Sequence, residues 1–560
     1  MGKTIDCLFI GHNDMNFQEY ERQIRKMGIN SGAYRDLNVN FIRFNNKPYS
    51  ISEVINLFCN KAGGAETTIK PFSVSESFSA AISYLGSYLN RRGLNFDFVN
   101  SFQHQKVELA EKLGKNNIVV IALITTLYVS VMPILEIIEF IKKYNRDAKI
   151  ILGGPFISTQ FRTQDADSLS YLLETTIGID FYVNSSQGEA ALVNIIKALK
   201  HNLPLNRISN LYYKEGDKYI STPLKQENNK INENMVDWDL FSERVGEFVN
   251  VRTSISCPFA CGFCGFPEHA GKYQTASVEA VERELKALHK IKAVKSVHFV
   301  DDTFNVPQKR FKEILRMMIR NRFEWNWHSY FRCQYADRET VELLKESGCD
   351  GVFLGLESGN DQMLINMNKA VDTGKYLKGI ELLKEYGIVT FGNFIIGFPG
   401  ETSETVRDTI DFIDQSQLDF YRVQLWYCEP VTPIYRQREK YKIIGESFEW
   451  SHSTMNSNEA SDLVEMIFLT ERQSTWCPQY NFDFDSLWHL VHRGRDLEGV
   501  KRFINVFNNG VREKLRDPSL KEVSYDVSRR LIDAFRMESP DRAPLYEEHT
   551  LDESEAEFDF

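Results

Sequence analysis

The sequence predicts an α/β protein in three parts: an N-terminal doubly wound parallel sheet, a central partial (β/α)6 barrel and a small helical C-terminal domain. Three observations carry this. Short apolar runs alternate with helical periodicity from Thr4 to about Lys200. Three cysteines, Cys257, Cys261 and Cys264, then follow the apolar β-branched run Val249–Ile255 and open a second series of strand–helix repeats. Beyond Tyr441 the chain is helical and dense in aromatics, among them Phe448, Trp450, Trp476, Tyr480, Phe482, Phe484 and Trp488. The expected boundaries are 1–215 for the first domain, 216–440 for the barrel and 441–560 for the C-terminal cap.

In order, Thr4–Ile10 reads as a buried first strand ending in the polar turn Gly11-His12-Asn13-Asp14. Residues from about 15 to 70 read as an insertion of helix and loop. Helical periodicity over Ser77–Arg91 leads to a short strand, Phe96–Val99, and Val107–Leu113 reads as a helix. Asn117–Thr126 is a continuous apolar run closed by Thr125-Thr126. A helix over Met132–Tyr144 precedes the strand Lys149–Leu152 and its turn Gly153-Gly154-Pro155. Phe181–Val183 is the next strand, followed by Gln187-Gly188-Glu189 and a helix to Lys200. Strands alternating with helices imply a parallel sheet covered on both faces, whose ligands bind at the carboxyl ends of the strands. Small residues there let a ligand approach the backbone, and helix N-termini suit a phosphate.

Residues from about 201 to 247 are polar and turn-rich and read as a linker, with a hairpin-like Asn210–Ile220 turning at Glu215-Gly216-Asp217. The second series places strands at Val249–Ile255, Ser296–Val300, Trp325–Phe331, Gly351–Leu356, Thr390–Ile396 and Phe420–Trp426, with helices such as Val278–His289 and Phe311–Arg320 between them. Six such units make an incomplete version of the eightfold barrel, whose chemistry sits at the C-terminal ends of its strands. The aromatic C-terminal segment reads mainly as core, and as a cap it would exclude water from a barrel mouth.

The C-x3-C-x2-C spacing puts three thiolates on one loop, close enough to hold one metal centre. Iron–sulfur clusters are usually held by four thiolates. The nearest others, Cys333 and Cys349, are far along the chain, so a cubane here would keep one iron open for a small molecule. The competing reading is a zinc knuckle completed by His269. With nine cysteines in 560 residues, a disulfide framework is not expected.

The net charge of −11, from 66 basic and 77 acidic residues, argues against general nucleic-acid binding. No apolar run reaches the ~18 residues of a membrane span. The N-terminus lacks a signal-peptide pattern, so a cytoplasmic location is expected. The acidic tail from Glu547 to Asp559 reads as solvated and disordered.

The cysteine loop resembles that of the radical S-adenosylmethionine (SAM) enzymes. The resemblance implies a [4Fe-4S] cluster on Cys257, Cys261 and Cys264, whose open iron chelates SAM, with Phe263 near the adenine. It further implies that Asp301 and Asp302 accept from the SAM ammonium and that Arg332 meets a carboxylate. Glu357 and Ser358 would hold the ribose or the methionine end, and Gly397, in Gly392-Asn-Phe-Ile-Ile-Gly397-Phe-Pro399-Gly400-Glu401, would lie on the adenine side. Tyr427, Cys428, Glu429 and His452 are substrate-side candidates. The flavodoxin-like pattern before this motif resembles the cobalamin-binding domain of the cobalamin-dependent, class B, radical SAM enzymes. Thr125, Thr126, Gly153, Gly154, Gly188 and Glu189 would then line the slot for the cobalamin nucleotide tail. The Asp-x-His-x-x-Gly motif that supplies a lower histidine ligand in some cobalamin proteins is absent, and His12 and His104 are the loop candidates for that position.

Three stretches look most like the P-methyltransferase, PhpK-like, group: Asp6-Cys-Leu-Phe-Ile-Gly-His-Asn-Asp14, Ser31-Gly-Ala-Tyr-Arg-Asp-Leu-Asn38 and Trp476-Cys-Pro478. The function implied is methyl transfer from methylcobalamin to an unactivated carbon or phosphinate phosphorus of a natural-product intermediate. The alternatives are a rearrangement or cyclisation with the same cofactors, and a non-catalytic cobalamin- or redox-sensing protein. The implied partners are a small-molecule substrate and an external one-electron donor of flavodoxin or ferredoxin type, with no nucleic acid and no membrane.

Overall fold

The computed structural model describes residues 2–14, 16–62, 72–73, 76–126, 128, 130–470 and 472–536. The acidic tail lies outside them. Packing divides the chain into two compact units, Met1–Met15 with Ser73–Val464, and Asn16–Phe72 with the chain from Glu465.

The first unit opens on a sheet built from β1 (Thr4–His12), β2 (Phe96–Ser101), β3 (Asn117–Ile124), β4 (Ile150–Gly153), β5 (Phe181–Val183), β6 (Leu211–Glu215) and β7 (Lys218–Ser221). Their spatial order is β2-β1-β3-β4-β5-β6-β7. The first five are parallel, and β6 and β7 add antiparallel. The 2-1-3-4-5 order is the flavodoxin-like winding, with its switch between β1 and β3. Both faces of these strands are covered, which is why they read as unbroken apolar runs. Leu8, Ile10, Ile121, Leu123 and Leu152 are buried with Ile134, Ile138 and Ile141 of the helix Met132–Tyr144.

The stretch expected to be a linker does more than join domains. Its hairpin is β6 and β7, so the sheet is longer than the sequence reading allowed. Further on, Trp238 and Phe241 pack with Phe78 and Phe98 at ring separations of 5.4–6.3 Å. The Trp238 indole and the Val236 amide donate to Glu284, whose carboxyl burial pushes up to about 8.

The barrel strands are β8 (Phe248–Val251), β9 (Ser296–Phe299), β10 (Asn326–Phe331), β11 (Cys349–Glu357), β12 (Val389–Ile396) and β13 (Phe420–Leu425). Each pairs parallel with the next in chain order. All six expected strands are present, within a few residues of their expected ends. The segment before the helix Ala80–Asn90 lies along the barrel edge. Phe78 bridges Val249, and its amide donates 2.9 Å to the Phe248 carbonyl.

In the second unit, the hairpin Phe41–Phe44 with Lys47–Ser50 and three flanking helices gather with the C-terminal helices Phe484–His492, Leu497–Arg516 and Tyr525–Arg536. Two of the stretches that suggested the PhpK-like group meet here. Gln479 and Tyr480, just after Trp476-Cys477-Pro478, donate 2.8 and 2.7 Å to the Asp36 carboxylate. Buried Lys514 donates 2.6 and 2.7 Å to the carbonyls of Asn38 and Phe41, replacing water at a helix end. The third stretch is also scaffold, since Asp6 is buried and accepts from the Asn95 amide and from Lys200.

Candidate active site at the barrel mouth

The cysteine loop begins where β8 ends. Asp301, at the end of β9, accepts 2.7 Å hydrogen bonds from the amides of Thr253 and Ser254 and a third from the Thr253 hydroxyl. Ser254–Ile255 then pairs antiparallel with Gln274–Thr275, pinching the loop at its base. The loop is braced from outside its own sequence. The Gly262 amide donates 2.8 Å to the Met367 carbonyl, the Ile434 amide donates 2.9 Å to the Gly262 carbonyl, and the Asn368 side chain donates 2.7 Å to the Ala260 carbonyl.

On this loop Cys257, Cys261 and Cys264 are free thiols. Cys257 Sγ lies 3.3 Å from the Thr303 hydroxyl. Arg332 donates 3.2 Å to Cys261 Sγ and stacks 3.4 Å above the Phe259 ring. Burial raises the Cys257 thiol and pushes Cys264 up to about 12. Three buried-to-half-buried thiols on one braced loop fit the donor set that a sulfur-ligated metal centre needs. His269, the fourth ligand a zinc knuckle would need, instead directs Nε2 towards Thr159 Oγ1 at 3.4 Å and Glu429 at 3.8 Å.

The carboxyl ends of the strands bring together most of the residues expected there, in altered roles. Asp301 has both oxygens engaged by the base of the cysteine loop, so it shapes the loop. Asp302 beside it is exposed. Arg332 is held by Cys261, Phe259 and the Lys369 carbonyl, and its own backbone is held by Asn305. It therefore acts on the cysteine loop rather than standing free for a carboxylate. Ser358 is buried with its hydroxyl 3.3 Å from Thr409, so it packs the helix Ser403–Ser416 in place of the expected ligand contact.

Glu357 is buried at the end of β11, at a register shift and a φ of 69°. It pairs with Lys369 at 3.2 Å and accepts 3.3 Å from Asn393 on β12. Lys369 also donates 2.8 Å to the Gly355 carbonyl, and its ammonium lies 5.6 Å from the Phe263 ring centre. Lys369 and Asn393 were missed by the sequence reading. Lys369 sits in an Asn-Met-Asn-Lys turn that looks like solvent-facing loop, and only the neighbouring unpaired carboxylate of Glu357 hints at it.

Gly397 follows β12 at a φ of 96°, and a Cβ there would come within 2.5 Å of the Trp450 ring. Its amide donates to Glu401, a carboxyl that burial pushes up to about 8. Its carbonyl accepts 2.9 Å from His452 Nε2, which burial keeps in the neutral form. Phe398 next to it packs on Gly262 and faces the Phe263 ring edge-on at 6.5 Å. His452 therefore fixes backbone, contrary to its expected substrate-side place.

In the N-terminal sheet, Thr125 donates 2.8 Å to the Gly153 carbonyl, while Thr126 is exposed. Gly154, at a φ of 109°, turns the chain into the helix Pro155–Thr163 so closely that a Cβ would lie 2.8 Å from Thr125 Oγ1. These four residues form a backbone-lined ledge at the ends of β3 and β4. Gly188 and Glu189 behave differently. The amides of Ala190 and Ala191 are capped by Glu227, at 2.8 and 3.1 Å, so this helix N-terminus is already met. Glu189 is buried against Asn229, and burial pushes it up to about 7. His12 and His104 both turn towards Asp14, with Nε2 atoms 3.7 and 3.3 Å from its oxygens.

Comparison with known proteins agrees with this geometry. Residues 251–413 match the model of the Radical SAM superfamily. That segment holds the cysteine loop and strands β9 to β12 of the barrel. Among curated relatives, an uncharacterized methyltransferase of Pyrococcus horikoshii is 28% identical over 305 residues, 52% of this chain and 64% of that protein. The matched part thus spans less than two thirds of that relative. An anaerobic magnesium-protoporphyrin IX monomethyl ester cyclase of Cereibacter sphaeroides is 25% identical over 396 residues, 67% of this chain and 62% of that protein. Among solved structures, the radical SAM methyltransferase TsrM from Kitasatospora setae, with cobalamin and a [4Fe-4S] cluster bound, superposes with a TM-score of 0.55 at 18% identity. It covers 80% of this chain and 98% of that one. The cobalamin-dependent SAM radical enzyme OxsB with aqua-cobalamin bound gives 0.57 at 13% identity, over 93% of this chain and 90% of that one. At these identities the two structures establish a shared fold.

Proposed function

We propose that this chain is a cobalamin-dependent radical SAM methyltransferase acting on a small-molecule intermediate. The observation that carries the reading is the braced C-x3-C-x2-C loop at the mouth of a six-stranded parallel barrel, in one compact unit with a 2-1-3-4-5 sheet. The flavodoxin-like winding and the ledge at Thr125, Gly153 and Gly154 support cobalamin as the ligand of the first domain, as in the TsrM and OxsB structures. Methyl acceptance at an unactivated carbon or at a phosphinate phosphorus is the finer reading. The phosphorus version rests on the PhpK-like stretches, all of which are scaffold here.

When bound, the cluster with SAM supplies a hydrogen-abstracting radical and the cobalamin supplies a transferable methyl group. This chain's residues bind, orient and shield. Cys257, Cys261 and Cys264 would hold the cluster. Arg332 donates to Cys261 Sγ and the Thr303 hydroxyl lies against Cys257 Sγ, which holds these two sulfurs in place. The Glu357–Lys369–Asn393 group presents fixed polar atoms beside Phe263, where the nucleoside side of SAM would lie. Gly397, clamped at both its amide and its carbonyl, sets the backbone opposite.

The cyclase among the relatives favours one second reading, a rearrangement or cyclisation with the same cofactors. Anaerobic turnover with methyl-labelled SAM separates the two. Label in a small-molecule product supports methyl transfer, and 5'-deoxyadenosine with unlabelled, rearranged product sinks it.

A further inference from the structure

The carboxylates at the strand ends of the barrel differ in how fully they are met. Asp301 accepts three hydrogen bonds and Glu357 is held by Lys369 and Asn393. Glu429, four residues beyond β13, is unlike them. Its side chain is only 26% exposed, yet among the described residues its carboxylate accepts no hydrogen bond. His269 Nε2 lies 3.8 Å from its Oε1. A carboxylate so placed keeps acceptor capacity for a donor that approaches it.

The position of this carboxylate is informative. A Cβ on Gly265 would lie 2.8 Å from Glu429 Oε2, so the carboxylate lies against the backbone directly after Cys264. His269, on the short helix Phe266–Ala270, stands behind it and reaches Thr159 on the helix Pro155–Thr163 at 3.4 Å. That second helix begins at the Gly153-Gly154 ledge. The cluster therefore spans from the cysteine loop to the carboxyl edge of the N-terminal sheet, inside one compact unit. The ring proton of His269 is assigned to Nε2, because that atom faces a carboxylate and a hydroxyl. Nδ1 then offers a lone pair, and it too is buried without a hydrogen bond. Both groups thus keep acceptor capacity, and among the described residues neither is paired with a lysine or arginine.

We propose that Glu429 binds an amino or hydroxyl group of the small-molecule substrate, with His269 as the positioning residue that fixes the carboxylate against Gly265. This rests on the proposed function. It names the chemistry of the substrate at this corner: an N–H or O–H donor, with any acidic end of the substrate placed elsewhere.

The test uses the reconstituted holoenzyme with SAM and three matched probes, n-propylamine, n-propanol and propionate, titrated by saturation-transfer NMR. Fragments of this size bind in the millimolar range, which the method reads. Wild-type protein is expected to bind the amine and the alcohol in preference to propionate. Glu429→Gln is expected to weaken the amine at least ten-fold. His269→Ala should give an intermediate loss and His269→Gln, which keeps a donor facing Glu429, should restore most of it. Glu268→Gln, on the same helix but paired outward with Arg436 at 2.6 Å, should bind all three probes as wild type does. Should Glu429→Gln fail to fold, Glu429→Asp withdraws the carboxylate by one methylene and carries the same expected loss. Preference for propionate, or amine affinity unchanged in the Glu429 variants, overturns the inference. Iron, cobalt and 5'-deoxyadenosine are measured on the same preparations. Normal cofactors with Glu429-independent binding sink this inference alone, whereas missing iron or cobalt sinks the proposed function as well.

Discussion

Lys369 and Glu357 face each other inside the barrel with side chains only 5% and 7% exposed. A buried pair of this kind adds little net stability, but removing one partner strands the other charge and costs about 3–5 kcal/mol. Lys369→Met should therefore lower the unfolding free energy by about that amount, measured by denaturant titration. The double variant Lys369→Met/Glu357→Gln should recover most of the loss. If the single variant is as stable as wild type, the pair does not organise this wall. The cysteines and Glu357 were legible in the sequence because their spacing and strand-end position carry chemistry. Lys369 and Asn393 were not, because a polar residue in a turn or strand looks the same whether it faces water or a buried carboxylate. For Asp301 and Arg332 the place was legible but not the protein partners, since spacing shows nearness and says nothing of which partner wins a hydrogen bond.

At the scale of elements, the turn after β12 is set by Gly397 between Glu401, His452 and Trp450. Gly397→Ala puts a methyl group into the Trp450 ring at a left-handed φ. It should cost about 1–3 kcal/mol from overpacking and weaken SAM binding, read by equilibrium binding to the reconstituted protein. Unchanged binding would remove this turn from the site. Glu401 makes the turn pH-sensitive. Its folded pKa is raised by burial to about 8 from 4.5, so the folded state holds the proton more tightly than the unfolded chain. Its contribution to stability is then complete below about pH 4.5 and declines as pH rises to about 8. Unfolding of wild type and Glu401→Gln compared at pH 5 and pH 8 should show wild type losing ground to the variant at the higher pH. A gap that does not change with pH contradicts the assignment. Most strands of both sheets were legible as apolar runs. The hairpin β6–β7 was legible as a hairpin, but its place in the sheet was not, because pairing with a strand some thirty residues back leaves no local mark. Glu227, which caps the helix after Gly188, was missed for the same reason.

At the scale of the molecule, Phe78 ties the two sheets of the first unit. Its ring is buried against Phe98, Trp238 and Phe241, while its backbone bridges Val249. Phe78→Ala should cost about 3–5 kcal/mol as a buried large-to-small change. Hydrogen exchange should then rise in both β2 and β8, and a rise confined to one of them would show that the sheets open independently. The second unit was the least legible part of the architecture. Asn16–Phe72 read as an insertion in the first domain, and its packing with the chain beyond Glu465 joins segments some four hundred residues apart, which no periodicity records.

The central claim is that one chain holds both a sulfur-ligated iron cluster and a cobalamin. The measurement that tests it most directly is an anaerobic optical spectrum with iron, sulfide and cobalt analysis, on protein produced with cobalamin supplied. About four irons and about one cobalt per chain are expected, with the iron lost and the cobalt kept in the triple Cys257/Cys261/Cys264→Ala variant. Zinc in place of iron would contradict the cluster, and iron without cobalt would contradict the methyl-transfer mechanism and leave the N-terminal sheet in need of another ligand.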